Sequence, residues 1–239
     1  MKTKRLASFF TKKSHYRGEV DEKYRKCGLG VQKRTNGWTY EGQWKDGLRN
    51  GYGILYRKMA DMELCEKIYV GDWKNNRKHG LGIKYFKDGK YLGFWSCGQR
   101  SGHGFMWFDN GDFYMGEWAD DVYEGLGIML YISGDRYHGE FHTGLKHGEG
   151  LYFHSRTGQL QRGHWCCGIC KMGSIEDWNR NQVVYPTIYP LPEVKLGDFP
   201  EVFLAWMDKY AIHLHNGGQC KPEDITGFWS GSGLDAMLS

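Results

Sequence analysis

The chain has 239 residues, 35 of them Gly and only 5 Pro, with aromatic residues at 16% and a formal net charge of +4. Gly at about twice average usage without Pro argues against collagen and Pro-rich disorder, and the aromatics argue against low-complexity filler. No apolar run approaches the roughly 18 residues of a membrane-spanning helix. Seven cysteines, an odd number, without a secretory leader point to reduced thiols and a cytoplasmic location.

Residues 1–15 are basic and contain no acidic residue. Leu6, Phe9 and Phe10 fall at i, i+3 and i+4, the spacing of a short amphipathic helix, but an unstructured basic tail is the simpler expectation. Lys2, Lys4, Arg5, Lys12 and Lys13 are the candidate contacts there for an acidic partner or an anionic lipid surface. They begin a charge gradient. Residues 1–90 hold 22 Lys+Arg against 10 Asp+Glu, net +12, whereas residues 91–150 hold 3 against 9, net −6.

A repeat follows. YEGQWKDGLRNGYG at 40–53 is rewritten as YVGDWKNNRKHGLG, YLGFWSCGQRSGHG, YMGEWADDVYEGLG and YHGEFHTGLKHGEG. Its defining residues are Tyr40, Gly42, Trp44, Gly51 and Gly53; Tyr69, Gly71, Trp73, Gly80 and Gly82; then Tyr91, Gly93, Trp95, Gly102 and Gly104. Tyr114, Gly116, Trp118, Gly125 and Gly127, and Tyr137, Gly139, Phe141, Gly148 and Gly150, complete the set. Weaker copies start at Tyr16 and Gln161, and a longer connection over 57–68 separates two copies. A period of about 23 residues fits one hairpin of two short strands and two connections. Alternation puts Tyr, Gly and Trp of one strand on one face. Both glycines of the Gly-x-Gly strand are expected to lie under rings, because a ring can rest flat against bare backbone. One hairpin cannot bury an aromatic face alone, so neighbours must stack. The expectation is a single-layer, twisted antiparallel ribbon over 16–175, growing by roughly 10 Å per repeat.

The phrase Y-x-G-x-W-x6-G-x-G at this period resembles the MORN repeat family. Trp165-Cys166-Cys167-Gly168, the YPLPEVK run at 189–195 and the long connection resemble one member in particular. The resemblance implies non-enzymatic adaptor roles in the cytoplasm, in cilia, flagella, sperm and the acrosome, and lipid binding as a second role.

Beyond the ribbon, Pro186, Pro190 and Pro192 mark an extended segment. Asp198-x-x-Glu201 with Pro200 reads as a helix start, and Phe203, Trp206, Met207 and Tyr210 form an apolar stripe running to about His213. That short helix is expected to cap the last sheet edge, and 214–239 to form a tail.

Little in the chain suggests chemistry. His164, Cys167 and Cys170 make one C-x-x-C with a nearby His, but a zinc site of recognisable spacing needs a second pair. There is no P-loop, nucleophile elbow or metalloprotease helix motif, so no catalytic, cofactor or metal residue is assigned. The expected function is a scaffold for cytoskeletal, axonemal or signalling proteins. Its candidate partner-binding surface is the aromatic face of Tyr91, Trp95, Phe108, Phe113, Tyr114 and Trp118. Open edges favour pairing with a second ribbon, an anionic membrane is the alternative partner, and nucleic acid is disfavoured by the acidic half.

Overall fold

A computed structural model describes residues 4–59 and 65–177. They form fifteen strands: β1 (Arg5–Thr11), β2 (Ser14–Val20), β3 (Lys26–Arg34), β4 (Trp38–Lys45), β5 (Leu48–Lys58), β6 (Cys65–Lys74), β7 (Arg77–Phe86) and β8 (Gly89–Ser96). β9 (Gln99–Phe108), β10 (Phe113–Ala119), β11 (Val122–Leu130), β12 (Arg136–His142), β13 (Leu145–His154), β14 (Gln159–Cys166) and β15 (Ile169–Asp177) follow. All fifteen lie in one antiparallel sheet in chain order, without a crossover.

The hairpin tips are two-residue loops with both central residues at positive φ. The pairs are Asp46/Gly47 at 52° and 82°, Asn75/Asn76 at 50° and 67°, Cys97/Gly98 at 51° and 100°, and Asp120/Asp121 at 49° and 70°. Thr143/Gly144 and Cys167/Gly168 repeat this geometry. It is the turn whose twist matches that of the flanking strands, and it selects Asn, Asp and Gly. Cys97 and Cys167 are therefore turn residues.

The even-numbered strands β4, β6, β8 and β10 carry Tyr-x-Gly-x-Trp, β12 carries the same phrase with Phe141 in the Trp place, and the odd-numbered strands β3 to β13 carry Gly-x-Gly. Each Tyr ring lies across the glycine pair of its own hairpin. Its hydroxyl donates to the carbonyl three residues on: Tyr40 to Gln43 at 3.0 Å, Tyr69 to Asp72 at 2.9 Å, Tyr91 to Phe94 at 3.1 Å and Tyr114 to Glu117 at 2.9 Å. Each Trp indole donates to the second Gly of the preceding unit: Trp44 to Gly30 at 3.0 Å, Trp73 to Gly53 at 3.2 Å and Trp95 to Gly82 at 3.1 Å. From Tyr40 to Tyr137 each Tyr also meets its own unit's second aromatic and the next one edge-on, as Tyr40 meets Trp44 at 5.1 Å and Trp73 at 5.4 Å. Such T-shaped pairs satisfy the ring quadrupoles and contribute about 0.5–1.5 kcal/mol each beyond burial. The result is a continuous core on one face, from Tyr16 to Trp165.

The two glycines of the Gly-x-Gly strand do different work, contrary to the expectation that both lie under rings. Gly53 does lie against the Tyr40 ring. Gly51 instead sits at φ 90°, where the register shifts between Gly42 and Trp44, so it supplies the left-handed residue of a bulge. The Gln43 amide oxygen spans that bulge by accepting the Tyr52 N–H at 2.8 Å. Glu19, Asp72 and Glu117 do the same for Leu29, Leu81 and Leu126.

The opposite face carries a second row. Ile83, Leu92, Phe105, Met115, Ile128 and His138 are paired strand to strand and buried. Val31, Ile54 and Val70, earlier in that row, are only half-buried.

Two boundaries differ from the sequence reading. Residues 5–11 form strand β1, neither tail nor helix, because alternation lets Ala7 and Phe9 pack on the ladder, with Phe9 5.1 Å from Tyr16. Within the connection over 57–68, strand β5 runs to Lys58 and β6 begins at Cys65. The extended segment, capping helix and tail expected after 177 lie outside the described residues.

Candidate functional site

Five residues after each second aromatic of the ladder stands a side chain that points back over the rings. In four of the five clear units it is basic: Arg49, Lys78, Arg100 and Lys146, with Tyr123 in the other, and Lys26 holds the equivalent place in the weaker first unit. Lys26 Nζ lies 4.4 Å from the Trp44 ring, Arg49 Cζ 4.1 Å from Trp73, Lys78 Nζ 3.8 Å from Trp95 and Arg100 Cζ 4.0 Å from Trp118. These are cation–π distances, so the charged groups are held in position by the next unit's indole. Two more cations, Arg34 and Lys84, stand on the same face beside this row. The sequence held the signal, a fixed offset of five from the aromatic.

Burial and mutual repulsion depress the lysines. Lys26 is pushed down to about 8, first by burial and then by Arg34 and Arg49. Lys78 is pushed down to about 7, first by burial and then by Lys84, with Arg100 adding to it and Asp121 opposing. Arg100 binds Asp121 at 3.0 Å, and Arg49 spends its guanidinium on Asn76, donating to its backbone oxygen at 3.0 Å. Among the described residues, Lys26, Arg34, Lys78 and Lys84 have no salt-bridge partner. Next to Arg49 opens a cavity of about 260 Å³, lined by Gln32, Arg34, Asn36, Trp38 and Tyr40.

The candidate partner-binding residues do not form one exposed patch. Tyr91, Trp95, Tyr114 and Trp118 are ladder rings no more than 3% exposed. Phe108 is half-buried beside them, whereas Phe113 lies on the other face, packed 5.2 Å from Trp107. What that face offers to solvent is the cation row above the rings.

Lys4 pairs with Glu19 at 2.8 Å, Arg5 lies in β1, and Lys12 and Lys13 form the tip of the first hairpin. Lys2 is outside the described residues. His164 is bonded to Glu149 at 3.0 Å, and the Cys170 thiol donates to the Met172 carbonyl at 3.3 Å. Among the described residues no three His, Cys, Asp or Glu side chains converge on a metal position.

The MORN repeat family model matches residues 40–59, 69–90, 91–113, 114–136 and 137–155. The five hairpin units from residue 40 to residue 155 are MORN repeats. The chain is also similar to MORN repeat-containing protein 3 of Bos taurus, 41% identical over 54 residues, which are 23% of this chain and 22% of that protein. The Xenopus laevis protein of that name is 45% identical over 49 residues, 20% of this chain and 21% of the relative. The Mus musculus protein is 38% identical over 63 residues, 26% of each. The aligned stretches thus span about a quarter of these relatives. Tyr16 and Trp165 carry the MORN packing one unit beyond the matched residues at either end. MORN repeats are in general protein- or membrane-interaction modules.

Proposed function

We propose that this chain is a non-enzymatic scaffold that binds protein partners along its MORN sheet. One observation carries the reading. The Tyr, Trp and Gly that recur are consumed in the ladder, while the side chains above it change from Lys26 and Arg49 to Tyr123 and Lys146. A constant floor with a variable rim is how repeat proteins present extended binding surfaces. Work in the cytoplasm, and in ciliary, flagellar or sperm-related assemblies including the acrosome, follows from the family resemblance alone. Affinity capture from ciliated and from sperm-producing tissue tests it. Axonemal or cytoskeletal proteins retained on the chain are expected, and their absence from both tissues overturns the assignment.

The edge strand supports a second reading, attachment to an anionic membrane. Leu6 and Phe10 are 87% and 75% exposed, and Arg5, Lys12 and Lys13 adjoin them. An apolar and basic edge suits a lipid headgroup layer. In this reading the chain sediments with phosphatidylserine vesicles at physiological salt, and changing Lys4, Arg5, Lys12 and Lys13 to Glu abolishes it. Sedimentation unaffected by those changes removes the β1 edge from consideration.

A further inference from the structure

We propose that the ladder face from β3 to β9 is a groove for an acidic linear segment of a partner protein. Its carboxylates would meet Lys26, Arg34, Arg49, Lys78, Lys84 and Arg100. The proposal rests on the scaffold reading and gives it a partner class.

Spacing comes first. Lys26, Arg49, Lys78 and Arg100 occupy one register position in four successive hairpins. Two strands at 4.7–4.9 Å separate neighbours, so the cations recur about every 10 Å. A polyproline II chain has three residues per turn and a rise of about 3.1 Å per residue. Every third side chain then returns to the same side after about 9 Å. An acidic chain repels itself into extended forms of this kind. Glu or Asp at every third position therefore matches the row without strain, and four such residues span it.

The charge balance comes second. Asp121 and Asp88 are carboxylates placed against these cations, and Asp121 is bound to Arg100. Lys26, Arg34, Lys78 and Lys84 have no ion-pair partner among the described residues, and Lys26, Lys78 and Lys84 are each depressed by burial and then by a neighbouring cation. An incoming carboxylate relieves that repulsion. Because the indoles hold the cations, little side-chain freedom is lost on binding. The cavity beside Arg34 and Arg49 adds Gln32 and Asn36 as amide donors, enough to seat one acidic side chain at the β3–β5 end.

The same geometry disfavours other polyanions. Single-stranded nucleic acid needs open ring faces for its bases, and here Tyr40, Tyr69 and Tyr91 are no more than 3% exposed. A bilayer presents its charge in a plane, whereas Lys26, Arg49, Lys78, Lys84 and Arg100 are half-buried over the rings.

The test is fluorescence anisotropy with two labelled peptides of identical composition, (Glu-Pro-Ala)4 and a version with its four Glu together. The full chain is compared with the Lys26→Gln, Arg34→Gln, Lys84→Gln triple variant, whose fold is checked by circular dichroism. The periodic peptide is expected to bind at least about tenfold more tightly than the clustered one, and the triple variant to lose about tenfold. Equal binding of both peptides, or an undiminished triple variant, overturns the proposal. So does binding of heparin or phosphatidylserine vesicles that competes away the periodic peptide at equal charge concentration. If the triple variant does not fold, Arg34→Gln alone is expected to lose about threefold, and no loss there counts equally against the groove. The two levels separate in the tissue capture. Partners retained equally by native and triple-variant chains leave the scaffold reading standing and remove the groove.

Discussion

The ladder face has two halves with one floor. From β3 to β9 the rings are overlaid by Lys26, Arg34, Arg49, Lys78, Lys84 and Arg100. From β10 onward the corresponding positions hold Tyr123, Met129, Tyr131 and Tyr152, with Lys146 as the returning cation. Beneath them the packing does not change. Tyr40 meets its own Trp at 5.1 Å and Tyr114 meets Trp118 at 5.3 Å, and both hydroxyls bond the carbonyl three residues on. The difference teaches that floor and rim are separable. Floor residues set the fold, and rim residues can turn a cationic groove into an aromatic one without touching it.

The largest effects should therefore be blind to the halves. A Cβ on Gly53 would fall inside contact distance of the Tyr40 ring and hydroxyl, and one on Gly127 would meet the Tyr114 hydroxyl at 2.6 Å. Neither ring can retreat from its neighbouring Trp. Gly53→Ala and Gly127→Ala should each cost about 3 kcal/mol, as overpacking in a tight core does. Gly47→Ala has open space around it and only its φ of 82° to oppose it, so about 1 kcal/mol is expected there. Urea unfolding of the three variants checks this. A difference of more than about 1 kcal/mol between Gly53→Ala and Gly127→Ala would show that the floors are not equivalent.

The acid effect on stability should be largest in the second half, on the opposite face. His138 lies between Ile128 and Leu151 in the buried row, and neither ring nitrogen has a hydrogen-bond partner among the described residues. Burial pushes its pKa down to about 4. Between pH 6.5 and 4 the unfolded chain then binds a proton that the folded chain does not, so stability falls as pH falls through that window. The full loss is roughly 3 kcal/mol. His138→Leu should remove this part of the acid sensitivity and leave stability at pH 7.5 nearly unchanged. Parallel loss in wild type and His138→Leu would mean that the ring is reached by water or paired.

How much of this was legible in the sequence depends on what each residue answers to. Tyr40, Gly42, Trp44 and Gly53 answer to one another within a hairpin, so their spacing alone gave strand, face and stacking. The tips were equally readable, since Asp46-Gly47 and Asn75-Asn76 satisfy a local φ requirement. β1 was missed because Leu6, Phe9 and Phe10 fit a helical spacing, while the deciding contact, Phe9 on Tyr16, lies across a hairpin. Gly51 was misread because a bulge changes register without changing composition. Nothing within their own hairpins distinguishes Arg49 and Lys78 from other surface charges, and only the next hairpin's Trp gives them a place. Phe113 carried no sign that it faces away from Tyr114, other than the alternation that puts adjacent residues on opposite faces.

The smallest effect is the sharpest test of the comparison, because it moves the boundary between the halves. Tyr123 stands opposite Trp118, where Arg100 stands opposite Trp95, and its ring lies 5.8 Å from Phe141. Tyr123→Arg would place a guanidinium over Phe141 as Arg100 lies over Trp118, and would lengthen the cation row from four to six by joining it to Lys146. The exchanged ring contacts with Tyr114 and Trp118 are partly replaced by the cation–π contact, so stability should change by no more than about 1 kcal/mol. The gain should depend on ligand length. A peptide with six Glu at every third position should bind the variant about threefold more tightly than wild type, while one with four should not distinguish them. An equal gain for both peptides would mean that the introduced guanidinium adds only diffuse positive charge, and that the spacing of the row is not what the groove reads.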